Sequence, residues 1–120
     1  MKERAIIFKA EGTVIRGNKK GSELGFPTAN VVHLNSIPGG IYAGEVIWGG
    51  VSYPAAIYKD ETKNFVEAHL LDFSGNLYGE TIVINAYHKI RDSRRFDDEK
   101  ELTAAISKDV EEIEKLCSRE

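Results

Sequence analysis

The chain has 120 residues, 42% hydrophobic and 29% charged, with a formal net charge of −3, so it is one globular domain with a real core. That charge excludes general affinity for nucleic acid or an anionic membrane surface, and the single cysteine, Cys117, excludes an internal disulfide and fits a reducing compartment. Met1-Lys2-Glu3-Arg4 does not open a signal peptide, and no stretch approaches the ~18 apolar residues of a membrane span, so the expected location is cytoplasmic.

Most of the chain reads as strands. Ala5–Ala10 leads into Gly12–Arg16, with Gly12 where a long strand bends. After the turn signal Pro38-Gly39-Gly40 comes Ile41–Trp48. Gly49-Gly50 then joins it to Val51–Tyr58 in the clearest hairpin of the sequence. Pro54 marks an edge or a bulge. The charged stretch Lys59 to Asn64 is a solvated turn, followed by a strand from Phe65 to Leu71, a turn at Ser74-Gly75-Asn76 and a long strand from Tyr78 to about Ile90. From Asp98 the period changes: Leu102, Ala105, Ile106, Val110, Ile113 and Leu116 or Cys117 recur on one helical face, and Asp98 with Glu101 forms a capping pair. Short antiparallel strands and one terminal helix predict a small barrel, closed because closure removes strand edges. The expected organisation is a single domain over 1–120, with a barrel over about 5–91 and a helix over about 98–117.

Four segments carry candidate chemistry. In Leu24-Gly25-Phe26-Pro27-Thr28-Ala29-Asn30, the proline favours an extended chain, so Thr28 and Asn30 point to one side. Two neutral oxygens placed together suit a hard cation that also holds phosphate; the same pattern fits a turn whose polar side chains satisfy their own backbone. Upstream, Gly17-Asn18-Lys19-Lys20-Gly21 is a glycine-bounded basic loop able to approach phosphates closely. In Phe65 to Phe73, Val66, Ala68 and Leu70 form an apolar face and leave Glu67 and His69 on the other. There Glu67 serves as a general base if desolvated, or both are plain outward-facing polar residues. The apolar Leu71 on that polar side implies that something covers it. Ile90-Arg91-Asp92-Ser93-Arg94-Arg95-Phe96-Asp97 supplies guanidinium groups able to hold phosphate, with Arg91 the most rigidly placed, and an aromatic ring in Phe96. It also reads as a solvated basic loop balanced by aspartates. His33 and His88 lack metal-site spacing. There is no Walker loop, dinucleotide fingerprint or protein-kinase signature.

Taken in order, Gly17 to Gly21, Leu24 to Asn30, Gly40 to Ala43, Val66 to Phe73, Leu77 to Glu80, and Ile90-Arg91 with Phe96 resemble the riboflavin kinase family. Leu102, Ile106 and Asp109 extend the match into the helix. The resemblance implies a mainly β fold: a six-stranded antiparallel closed barrel with a C-terminal helix. The implied reaction is transfer of the γ-phosphate of ATP to the ribityl hydroxyl of riboflavin, giving FMN and ADP.

It further implies that Thr28 and Asn30 hold Mg²⁺ and that Gly17, Lys19, Lys20, Gly21, Gly25, Pro27 and Thr28 surround the nucleotide phosphates. Glu67 would act as base, and Arg91, Phe96 and Glu67 would face the flavin. The implied partners are riboflavin, FMN, ATP and ADP, without nucleic acid or membrane, on a monomer. The second reading is a non-catalytic flavin- or nucleotide-binding module on the same barrel. The chain departs from the family pattern twice: it has Tyr53 to Tyr58 where an Asn-Ile-Gly segment is common, expected to bear on the nucleotide side, and Ser22-Glu23 where a basic residue is common. Bacterial relatives are usually fused to an adenylyltransferase domain, for which this chain has no room.

Overall fold

Side chains alternate across a strand, so each apolar-polar sequence here sorts into an inward and an outward set. The structure, a computed structural model, describes residues 5–15, 28–33, 36–73, 75–93 and 98–118. Its strands are β1 (Phe8–Ile15), β2 (Ala29–Val32), β3 (Gly40–Trp48), β4 (Val51–Lys59), β5 (Phe65–Leu70) and β6 (Thr81–Arg91), followed by α1 (Glu99–Ser118). They close into a barrel in the order β1-β2-β5-β4-β3-β6, every pair antiparallel. The expected mainly β architecture, six strands closed and one terminal helix, is what the chain adopts.

The interior is filled by the inward set, among them Val31, Tyr42, Val46, Ile57, Val66, Ala68, Ile82 and Ile84, all nearly or wholly inaccessible. β1 pairs with β6 from Phe8 to Thr13 and with β2 only at Val14 and Ile15. Gly12 sits near that change of partner, where an added Cβ would lie 3.1 Å from Val31 Cγ1. The β3–β4 hairpin turns through Gly49 and Gly50 at φ 59° and 78°, left-handed positions that favour glycine. Pro54 lies just past the β4–β5 ladder, which begins at Ala55, and its carbonyl accepts from Leu71 N at 2.8 Å.

Between β3 and β6 the register shifts at Ile41/Tyr42 and again at Ala43/Gly44. Gly44 is required at the second shift: a Cβ there would fall 2.0 Å from the Asn85 carbonyl oxygen and 2.7 Å from Ile57 Cδ1. These bulges bend β3 and β6 together.

α1 begins as its sequence predicts, with Asp98 Oδ1 accepting from Glu101 N at 2.8 Å. Its apolar stripe covers one flank of the barrel's outer surface. Ile113 joins Ala43, Ala56 and Leu71 in a second buried cluster, with Tyr58, Ile90, Val110 and Leu116 packed against it. Leu71, the apolar residue on the polar side of β5, is therefore covered by the helix.

Candidate active site

The barrel order inserts β5 between β2 and β4, and this brings the polar outer residues of distant segments into one row. Asn30 of β2 stands opposite Glu67 of β5, and Glu67 stands opposite Tyr58 of β4. Tyr58 faces Ile41 of β3, which faces Arg91 of β6. Directly opposed side chains in an antiparallel ladder are near neighbours. The row therefore runs continuously from the segment after Pro27 to the last residue of the last strand.

Ala29 and Val31 are buried in the barrel core, so alternation turns Asn30 outward. Thr28 lies on the same side, because its hydroxyl hydrogen-bonds the Glu67 carboxylate. Asn30 is 3% exposed, yet its Oδ1 has no hydrogen-bond partner among the described residues. A buried acceptor without a donor is costly unless a ligand supplies the partner. Thr28 and Asn30 are thus brought together as the sequence predicts, and they do not simply satisfy their own backbone.

Burial pushes the Glu67 carboxyl above the ordinary glutamate value. The Thr28 hydrogen bond opposes that rise, and the charges of Asp60 and Lys63 act in opposite directions. A partly desolvated carboxylate with a raised pKa can serve as a general base if a substrate hydroxyl lies beside it. On its other side the Tyr58 hydroxyl is also buried and lacks a hydrogen-bond partner among the described residues. Burial raises that phenol above its usual range; Asp109 adds to the rise, Arg91 opposes it and Glu67 adds a smaller part. His69 shares the outer face of β5 with Glu67, as expected, and stands opposite Ala56.

Arg91 is held by the helix. Its Nε donates to Asp109 Oδ1 at 2.9 Å and its Nη2 to Asp109 Oδ2 at 2.8 Å, with Nη1 reaching the Asp92 carbonyl at 3.2 Å. The paired guanidinium is rigid. Of the remaining candidates, Gly17, Lys19, Lys20, Gly21, Gly25, Pro27 and Phe96 lie outside the described residues, as does Glu23.

Two members of the arrangement were not singled out from sequence. Asp109 was noted only as part of the resemblance, although it is a polar residue on an otherwise exposed helix turn. Tyr58 read as a strand residue, with no signal that its hydroxyl would be buried. Further along the outer surface, Glu45 accepts from Ser52 Oγ at 2.5 Å, from Asn85 Nδ2 at 3.2 Å and from the Tyr87 hydroxyl. Burial alone would raise its carboxyl, but these donors more than offset that and hold it below the usual value. The break in the apolar run Ile41-Tyr42-Ala43-Gly44-Glu45-Val46 was the available signal.

Comparison with known proteins places the chain in a family. The family model described as Flavokinase, riboflavin kinase, matches residues 5–117. A bifunctional riboflavin kinase/FMN adenylyltransferase of Bacillus subtilis is 40% identical over 114 residues, covering 85% of this chain and 36% of that protein. The protein of the same name from Haemophilus influenzae is 40% identical over 116 residues, covering 87% and 37%. The RNA-binding riboflavin kinase RibR of Bacillus subtilis is 35% identical over 108 residues, covering 82% and 46%. The chain thus spans little more than a third of the length of the two bifunctional relatives. Among solved structures, the macrolide-efflux protein from Streptococcus pneumoniae superposes with a TM-score of 0.76 at 29% identity, covering 86% of this chain and 37% of that one. The closed barrel, the outer row centred on Glu67 and a family match over nearly the whole length lead to one conclusion: the chain belongs to the riboflavin kinase family.

Proposed function

We propose that this domain transfers the γ-phosphate of ATP to the terminal ribityl hydroxyl of riboflavin, giving FMN and ADP. The observation that carries the reading is the placement of Glu67, half-buried and raised in pKa, between Asn30 and Tyr58. In the reaction the ribityl oxygen forms a bond to the γ-phosphorus as the bond to the ADP oxygen breaks. The hydroxyl proton passes to a Glu67 carboxylate oxygen. Phosphoryl transfer depends mainly on positioning and charge stabilisation, with a late proton acceptor, and a desolvated glutamate suits that role.

The residues present fit a divalent cation. The Thr28 hydroxyl and the unpartnered, buried Asn30 Oδ1 are neutral hard donors that leave room for phosphate oxygens and water. Such a cation, when bound, neutralises charge on the triphosphate. Thr28, which also hydrogen-bonds Glu67, would be one of the residues holding it. Glu67, adjacent in the ladder, meets the acceptor alcohol, and Arg91, fixed by Asp109, marks the opposite end of the row, on the flavin side. Partial burial of the row reduces access of water, which would otherwise compete for the phosphoryl group.

Incubation with riboflavin, Mg²⁺ and ATP, with CTP and GTP in parallel, tests the proposal by chromatographic detection of FMN. FMN and ADP in equal amounts above an enzyme-free control are expected. Flavin binding without FMN formation from any nucleotide overturns it in favour of a binding module.

A further inference from the structure

Glu67 is flanked in the outer row by two buried polar atoms that lack partners among the described residues, Asn30 Oδ1 on one side and the Tyr58 hydroxyl on the other. Asn30 belongs to the expected metal and phosphate end. Tyr58 lies in the segment where the chain departs from the family pattern, and it falls on the opposite side of Glu67, toward Ile41 and Arg91. The departure therefore points to the acceptor side of the row and not to the nucleotide side.

The Tyr58 ring is anchored. It packs against the cluster of Ala43, Ala56, Leu71 and Ile113 beneath α1, so the hydroxyl has a fixed position with little rotamer freedom to lose. The charged groups acting on it are Asp109, Arg91 and Glu67. Arg91 and Asp109 already satisfy each other, and Thr28 supplies a donor to Glu67. A hydroxyl is both donor and acceptor, and leaving one buried and unpaired costs stability that an apolar ring of the same shape would not. A fixed hydroxyl in this position, without a partner among the described residues, can donate to or accept from a ligand group.

We propose that the Tyr58 hydroxyl is a substrate-positioning group that hydrogen-bonds the polyhydroxy side chain of the flavin acceptor next to Glu67. This rests on the riboflavin kinase reading of the site. Tyr58 takes no proton in the reaction: it orients the alcohol chain so that the terminal hydroxyl meets Glu67. Its effect falls on acceptor affinity, and the nucleotide site is untouched.

The test is a two-by-two comparison of parent and Tyr58→Phe against riboflavin and lumiflavin, a flavin ring without the hydroxylated chain, by fluorescence titration. Tyr58→Phe is expected to weaken riboflavin binding about tenfold, the usual effect of one buried hydrogen bond, and to leave lumiflavin binding unchanged. KM for riboflavin rises correspondingly, while KM for ATP stays constant. In ligand-free protein the thermal midpoint of Tyr58→Phe is expected to equal or exceed the parent's. An equal loss for both flavins, no loss for either, or a lowered midpoint overturns the positioning role while leaving the kinase reading intact. A parent protein that binds neither flavin overturns both.

Discussion

Asp109 of α1 holds Arg91 of β6 through two parallel hydrogen bonds of 2.9 and 2.8 Å, tying the helix to the strand whose end it follows. The Asp109 side chain is 4% exposed and the Arg91 side chain 27%. The same pair fixes the guanidinium at the β6 end of the outer row.

The two partners are unequal in what their loss leaves behind. Arg91→Ala strands a fully buried carboxylate and is expected to cost about 4 kcal/mol, whereas Asp109→Ala leaves a guanidinium that reaches water and costs about 2 kcal/mol. Urea denaturation of both variants checks this order. Equal losses would show that the pair contributes little beyond side-chain packing.

Glu67→Gln keeps shape and removes the proton acceptor. FMN formation is expected to fall by ~10²- to 10⁴-fold, with riboflavin affinity within about twofold of the parent; an undiminished rate removes Glu67 from the mechanism. The pH dependence follows from the sign of its shift. The folded-state pKa is raised by burial, so the protonated form is the favoured one in the fold. Stability from this group is fully present below the unfolded value and lost as pH rises through the folded one. Activity runs the opposite way, because the base must be ionised. The acidic limb of the rate profile therefore lies above the ordinary glutamate value. Relative to the parent, Glu67→Gln gains stability as pH rises through the same window.

Thr28→Ala removes the hydrogen bond that opposes the rise at Glu67. The acidic limb of the pH–rate profile is expected to move to higher pH, and the Mg²⁺ concentration for half-maximal rate to increase about tenfold. Addition of EDTA to the parent is expected to abolish FMN formation, and excess Mg²⁺ to restore it. A limb that stays in place means the hydroxyl does not tune Glu67.

Gly44→Ala places a methyl group 2.0 Å from the Asn85 carbonyl oxygen at the β3–β6 bulge. Backbone has to move, so the expected loss is about 3 kcal/mol or more. Gly49→Ala serves as the comparison: its added Cβ meets no atom within 4 Å, and only left-handed backbone strain remains, about 1 kcal/mol. Thermal melts of the two variants separate the effects.

Much of this protein follows from local sequence. Alternation in Val66 to Leu70 assigns Glu67 to the outer face, Gly49-Gly50 sets the β3–β4 hairpin, and Asp98 with Glu101 starts α1, because each depends on residues within a turn or a strand of one another. Alternation along the strand likewise sets Thr28 and Asn30 on a common side. Tertiary structure alone decided the rest. Asn30 meets Glu67 across 37 residues of chain (67 − 30) through the β2–β5 register, and Arg91 meets Asp109 because α1 folds back over the barrel. Register between distant strands depends on the whole closed ladder, and no local pattern encodes it. That is why the sequence marks Glu67 as a candidate base, while its desolvation, its Thr28 partner and the unpaired hydroxyl of Tyr58 emerge only when the barrel closes.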